Sequence, residues 1–432
     1  MATSGTLKNF LASKLNTLTA RARRLSQLTP EHVGLDARDR AFAPSAAHFK
    51  SANRRLALID KSITKRIAFA RAQWRSAPSG LALLYMAMVE REVDRARRTF
   101  GLFFEVFSQR GTGYGPILAA HDVIASDCYA AVQHTAPMIF RGPLVRPLTY
   151  LEHGYSPATY RRGVTLSRLL GEANPFPLIR IPWDRDNPWQ AVFLHEVSHN
   201  LQADMGLWHE NQNALERRFA RQRTAANVSS VYRLWGKEIF ADLAAVLLGG
   251  PAAAWGMLDF LSHPAPKTLT FKPGGAHPTG YLRAFILAEM LDRLGFAQEA
   301  GRIRDLWQRL YPVARGHRMP GYLLGSAAET IPQVVDEIAF QTRRGLAGRA
   351  LVDVIPFTRH DELSIRDAAR YLVRGEVPDD LPPRFLVSAS RYALSLGAPV
   401  RTLSEQVTRH LVMQANTAKS GGPNPLLIAN AA

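Results

Sequence analysis

Five consecutive residues, His195-Glu196-Val197-Ser198-His199, constrain this chain more than any other segment. On a helix, side chains four residues apart share a face, so the two imidazoles can close on one Zn²⁺, with Glu196 beside them to take a proton from water activated there. That chemistry requires a helix, and the surroundings favour one. Ala191, Val192, Leu194, Val197 and Leu201 are apolar, and Asn187-Pro188-Trp189 offers an N-cap followed by proline at the first helical position.

A catalytic zinc site keeps three protein ligands and leaves a position open, so a third ligand is required. The stretch from Trp235 to Leu248 reads as a second, strongly apolar helix in which Glu238 and Asp242 stand one turn apart. Carboxylates in such surroundings are expensive to bury unless metal-bound or paired. Glu238 is therefore expected as the third ligand, and Asp242 as the acceptor for the free ring N–H of His195, fixing its tautomer. Asp204, His209 and Glu210 are weaker rivals. Asp204 would point about 140° away from the site, and the Gly and His of a longer zinc motif are replaced by Gln202 and Met205. The E-x-x-H within the motif also occurs in di-iron bundles, but no second copy pairs with it. A further reactive-looking stretch, His121 to Tyr129 with Cys128, lacks the base and orienting partner that a cysteine nucleophile needs.

In this pattern the chain resembles the gluzincin metallopeptidases, whose H-E-x-x-H helix is followed by a helix bearing E-x-x-A-D. Glu238-Ile239-Phe240-Ala241-Asp242 has that form, and His277-Pro278-Thr279-Gly280-Tyr281-Leu282-Arg283 resembles the H-P-x-x-x-x-R element of the HtpX-like and CAAX-prenyl endopeptidase group. The resemblance implies a zincin-like catalytic core and one catalytic Zn²⁺. It also implies Glu196 as general base, His277 near the substrate carbonyl or oxyanion, and Arg283 anchoring nearby carboxylates. In the mechanism expected, His277, Tyr281 or Arg283 stabilises the oxyanion, and Tyr281 contacts substrate. It covers only residues 188 to 290 or so. Those relatives are integral membrane proteins, whereas here the longest apolar run, Ile239 to Leu261, is interrupted by Asp242, Gly249-Gly250-Pro251 and Asp259. No transmembrane segment is expected.

Charge divides the chain. Of a formal net charge of +18, a surplus of 11 belongs to residues 1–75, with 15 Lys or Arg against four acids and none of these before Glu31. Leu7, Leu11, Leu15, Leu18, Ala22 and Leu25 recur at helical spacing, with Lys8, Lys14, Arg21, Arg23 and Arg24 between them. Such a helix suits an anionic membrane surface, a polyanion, an acidic partner or organelle targeting. It equally suits packing on the body of the protein with a solvated basic face. No nucleic-acid-binding motif accompanies the basicity. A single cysteine and the lack of a secretion signal point to a reducing, cytoplasmic setting.

The fold expected is mainly α with a small β-sheet, an α+β arrangement with helices added at both ends of the core. It divides into a basic helical region (1–75), a metallopeptidase core (76–320), a C-terminal helical region (321–416) and a flexible tail (417–432). Residues 79–110, 116–134 and 280–312 read as helices. Between 134 and 174 the chain reads as loop. Phe176 to Pro182 reads as a strand whose prolines suit a sheet edge, and Leu178, Ile179 and Arg180 are expected to pair with extended substrate. The chemistry indicated is zinc-dependent hydrolysis of a protein or peptide substrate. A zincin-fold binding protein without turnover, docking through residues 1–75, and hydrolysis of a non-peptide amide are the alternatives.

Overall fold

The computed structural model describes residues 2–140, 144–154, 157–165, 173–184, 187, 190–312 and 319–419. It is mainly helical with one small sheet. The chain forms two compact units, residues 1–115 with 160–177, and residues 116–159 with 178–432. The packing thus groups the chain differently from a division at 75 and 320.

The first unit is built on α1 (Ala2–Arg24), α2 (Ala46–Gln73) and α3 (Ser79–Ser108). The apolar stripe of α1 is buried as patterned: Leu11, Leu15, Leu18 and Ala22 pack with Ile59, Ile63 and Ile67 of α2 and Met86, Val89 and Val93 of α3. Only Leu7, at the end of the stripe, stays exposed. The returning segment joins this unit through Phe176, whose ring meets those of His48, Phe103 and Phe107.

The second unit holds α4 (Gly115–Thr135), β1 (Leu148–Leu151), β2 (Ala158–Tyr160, its last residue passing to the first unit) and β3 (Leu178–Ile181). There follow α5 (Val192–Asp204), α6 (Leu207–Arg221), α7 (Ala226–Leu261), α8 (Ala265–Thr268), α9 (Gly280–Arg293), α10 (Ala297–Leu310), α11 (Gly321–Val335), α12 (Leu351–Val354), α13 (Arg359–Val373), α14 (Pro383–Ser395) and α15 (Val400–Lys419). The axis of this unit is α7, which packs against α5, α6, α9, α11 and α14. By length and composition α7 is the one described helix able to cross a membrane, yet 89% of its apolar window is buried inside the protein. The interruption at Gly249-Gly250-Pro251 is a kink rather than an end. Gly250 takes φ 66°, and any β-carbon there would collide with the Phe357 ring. Glycine also sets the spacing of α5 on α7: a β-carbon at Gly249 would lie 2.8 Å from Leu194 Cδ1, and one at Gly256 2.5 Å from Ala191 Cβ.

Two expectations need correction. The N-cap of α5 is Ala191, not Asn187, and the helix begins at Val192 after turn hydrogen bonds from Gln190 N to Asn187 O and Phe193 N to Gln190 O. Pro188 and Trp189 lie outside the described residues, as does the tail from 420. Second, the presumed edge strand is central. The sheet order is β1-β3-β2, with Leu148 to Leu151 pairing in parallel with Leu178 to Ile181. Pro177 and Pro182 flank the strand without entering it, so its amide donors remain available on both sides. Leu178 and Ile179 are buried, and Arg180 lies against Glu152 at 3.7 Å, so none of the three can add a substrate strand. The supposed loop before Asn174 supplies the two strands that flank it. Residues 321–416 belong to the same compact unit as α5 and α7. In α14, Ser388 donates to the carbonyl of Gly249 at the kink of α7, and Arg384 pairs with Asp127 of α4 at 2.9 Å.

Candidate metal centre

The site forms where the middle of α5 crosses α7. In α5, His195 is buried and His199, one turn on, is half-buried; in α7, Glu238 and Asp242 are buried, also one turn apart. Glu238 Oε2 lies 3.4 Å from His195 Nε2 and 3.4 Å from His199 Nε2, and the three donor atoms all fall within 4.8 Å of one another. The imidazole rings are nearly perpendicular, with centroids 4.7 Å apart. A tetrahedral zinc centre with bonds of about 2.0–2.1 Å has ligand–ligand edges of about 3.3–3.4 Å, so the donors suit that ion in type, and the two edges from Glu238 match it in length.

Behind the donors, His195 Nδ1 stands 2.9 Å from Asp242 Oδ1. The contact is close but bent away from an ideal hydrogen bond. Asp242 is in turn held by Arg283, whose Nε and Nη2 donate at 2.8 and 2.6 Å. Arg283 sits in the first turn of α9, which Thr279 caps by accepting from Leu282 N at 3.2 Å. A fully buried Asp242 is thus neutralised by a fork-shaped guanidinium, the arrangement that makes such burial tolerable. Arg283 is committed to Asp242 and is a positioning residue, not a group facing an oxyanion.

The electrostatics follow from burial and pairing. Burial alone would push the His195 imidazole down, and the Asp242 and Glu238 carboxylates reverse that and hold it at about 9. Burial would raise both Glu238 and Asp242. Glu238 is instead held well below the usual carboxylate range by His195 and His199, and Asp242 is held down by Arg283 and His195. With neutral imidazoles, Glu196, Glu238 and Asp242 outnumber Arg283 and Lys237 by one negative charge, a field that favours a cation.

Glu196 is 8% exposed, and among the described residues its carboxylate makes no hydrogen bond or ion pair. Its backbone carbonyl accepts from the Thr159 hydroxyl at 2.8 Å, which ties β2 to α5. His277 Nε2 also lies 3.4 Å from Glu238 Oε2, but its side chain is 69% exposed and it falls outside the close donor set. It stands at the open side of the site. Tyr281 is buried against Phe285, with ring centroids 4.9 Å apart, and no hydrogen bond ties it to the donors among the described residues.

The rivals are placed elsewhere. Asp204 accepts from the Tyr129 hydroxyl at 2.7 Å, Glu210 accepts from the amides of Arg344 and Gly345, and His209 is exposed. Cys128 is fully buried, and burial pushes its thiol far up, away from nucleophilic use. Two contributors escaped the sequence reading. Lys237 Nζ reaches Glu238 Oε1 at 4.0 Å and lies over the Trp208 ring at 5.3 Å, leaving Oε2 to face the histidines. The adjacency of Lys237 to Glu238 was the available signal. Thr159 carried none. No protein-family model matches the chain, and comparison with curated proteins and with solved structures likewise yields no match.

Proposed function

We propose that the protein is a zinc-dependent hydrolase acting on peptide bonds. The observation that carries this reading is the pair of equal 3.4 Å edges from Glu238 Oε2 to His195 Nε2 and His199 Nε2, beside a Glu196 carboxylate with no hydrogen-bond or ion-pair partner among the described residues. His195, His199 and Glu238 would hold the ion. Bound there, it would supply Lewis acidity to polarise a carbonyl and acidify water.

The remaining chemistry belongs to the side chains. The Glu196 carboxylate takes the proton of the attacking water and returns it to the leaving nitrogen. Asp242, locked by Arg283, fixes the orientation of His195. Lys237 holds the second oxygen of Glu238. The exposed imidazole of His277 donates to the developing oxyanion in this reading. Substrate in extended form has a strand to pair with: β2 is at the sheet edge, half exposed, and anchored to α5 through Thr159. That edge, open among the described residues, favours a peptide over a small amide.

Purified full-length protein should contain one zinc per chain and cleave an unfolded substrate such as fluorescein-labelled casein. Glu196→Gln should keep the metal and lower cleavage by roughly 10²- to 10⁴-fold. Undiminished cleavage in that variant would sink the mechanism. Zinc binding with no turnover in the wild type would instead favour a non-catalytic zincin-fold binding protein.

A further inference from the structure

The basic charge is concentrated on one compact unit. Residues 1–115 with 160–177 carry 23 Lys or Arg against nine Asp or Glu, which accounts for 14 of the net +18. Helices α2 and α3 form a hairpin turning at residues 74–78. Two contacts fix how α1 lies along it. Leu28 N donates to Asn53 Oδ1, placing the C-terminal end of α1 near the start of α2, and Lys14 pairs with Glu90 at 3.0 Å, one-third of the way along α3. Lys14 to Leu7, and Glu90 to Leu81, are displacements of about 10 and 14 Å in the same direction. The N-terminal part of α1 therefore lies at the end where α2 and α3 turn.

At that end six large apolar side chains face outward: Leu7, Phe10, Phe69, Leu81, Leu83 and Leu84, with Phe10 58% and Leu84 55% exposed. Singly exposed apolar residues are ordinary, but six gathered at one end of a bundle mark an interaction surface. The sequence around them is free of acids. Residues 1–14 and 61–89 hold seven Lys or Arg and no Asp or Glu. Lys8, Lys65, Arg66 and Arg71 make no ion pair among the described residues, in contrast to Lys14, which is paired with Glu90. Apolar side chains rimmed by unpaired cations match a surface that is apolar within and anionic outside.

We infer that this end of the bundle docks on an anionic phospholipid bilayer. The apolar side chains enter the headgroup–acyl boundary, and the lysines and arginines stay at the phosphate level. A nucleic acid or acidic protein would be served by the cations but would leave the six apolar side chains without a partner. The inference is independent of whether the metal centre turns over substrate.

Flotation of the full chain with vesicles of 70% phosphatidylcholine and 30% phosphatidylglycerol tests it, against pure phosphatidylcholine vesicles and immobilised heparin. The protein should float with the anionic vesicles in 0.1 M salt, not with the neutral ones, and release as salt rises. The triple variant Lys65→Glu, Arg66→Glu, Arg71→Glu should weaken vesicle binding about 100-fold, at about 1 kcal/mol for each basic residue near the surface. Phe10→Ser with Leu84→Ser should weaken vesicle binding at least tenfold while leaving heparin retention unchanged. Circular dichroism melts matching the wild type would establish that both variants are folded. Vesicle binding insensitive to Phe10→Ser with Leu84→Ser, equal binding to neutral vesicles, or retention on heparin without any vesicle binding would each overturn the inference.

Discussion

The metal centre of the second unit and the basic end of the first handle charge in opposite ways. In the second, Asp242, Glu238, His195 and Arg283 are buried and each is placed by another: Arg283 grips Asp242, Asp242 meets His195 Nδ1, and His195 Nε2 faces Glu238. In the first, Lys8, Lys65, Arg66 and Arg71 are exposed, and only their sum matters. Buried charge specifies position because an unpaired group costs several kcal/mol. Exposed charge specifies a field, because water and salt screen each pair.

The contrast can be broken most directly at Asp242. Asp242→Ala leaves Arg283 buried and unpaired, and should destabilise the metal-free protein by roughly 3–5 kcal/mol in urea unfolding. Replacing both partners, Asp242→Leu with Arg283→Met, should restore much of that stability while weakening zinc affinity by about 10- to 100-fold, since His195 loses its orienting carboxylate. A double variant with full zinc affinity would show that Asp242 serves only the fold.

Gly250→Ala should cost roughly 2–4 kcal/mol, combining a β-carbon at positive φ with a collision against the Phe357 ring. A melt within about 0.5 kcal/mol of the wild type would show that α7 can straighten without penalty.

The pH response sharpens the comparison further. His195 is held at about 9 in the folded, metal-free chain, above its value of about 6.5 when unfolded. The stability it contributes is therefore complete below about pH 6.5 and is lost as pH rises through about 9. Zinc affinity should climb over the same interval, because the imidazoles must shed protons to bind. Urea melts of the metal-free protein from pH 6 to 9 should show the fall. A flat or rising profile would contradict the pairing of His195 with Asp242. At the other extreme, Lys65→Glu should change stability by no more than about 0.5 kcal/mol.

These regions also differ in how far they could be read from sequence. His195, His199, Glu238 and Asp242 were legible because helical spacing fixes which side chains meet, and because ionisable residues in apolar helices demand a partner. The α1 stripe was legible for the same periodic reason. Local signals misled where tertiary order decides. Asn187-Pro188 has the composition of a helix start, yet the chain turns first and α5 begins at Val192. Prolines beside β3 suggested an edge, but strand order is set by β1 and β2, each only three or four residues long and without a strong pattern. Thr159 could not be assigned because its role depends on that order.

The central claim is that His195, His199 and Glu238 hold one zinc ion that Glu196 serves without binding. Zinc content after dialysis against a weak chelator tests it most directly across four proteins: the wild type, His199→Ala, Glu238→Ala and Glu196→Gln. The account predicts one zinc per chain in the wild type and in Glu196→Gln, and none in His199→Ala or Glu238→Ala. Full zinc content in Glu238→Ala, or a wild type that holds none, would contradict it.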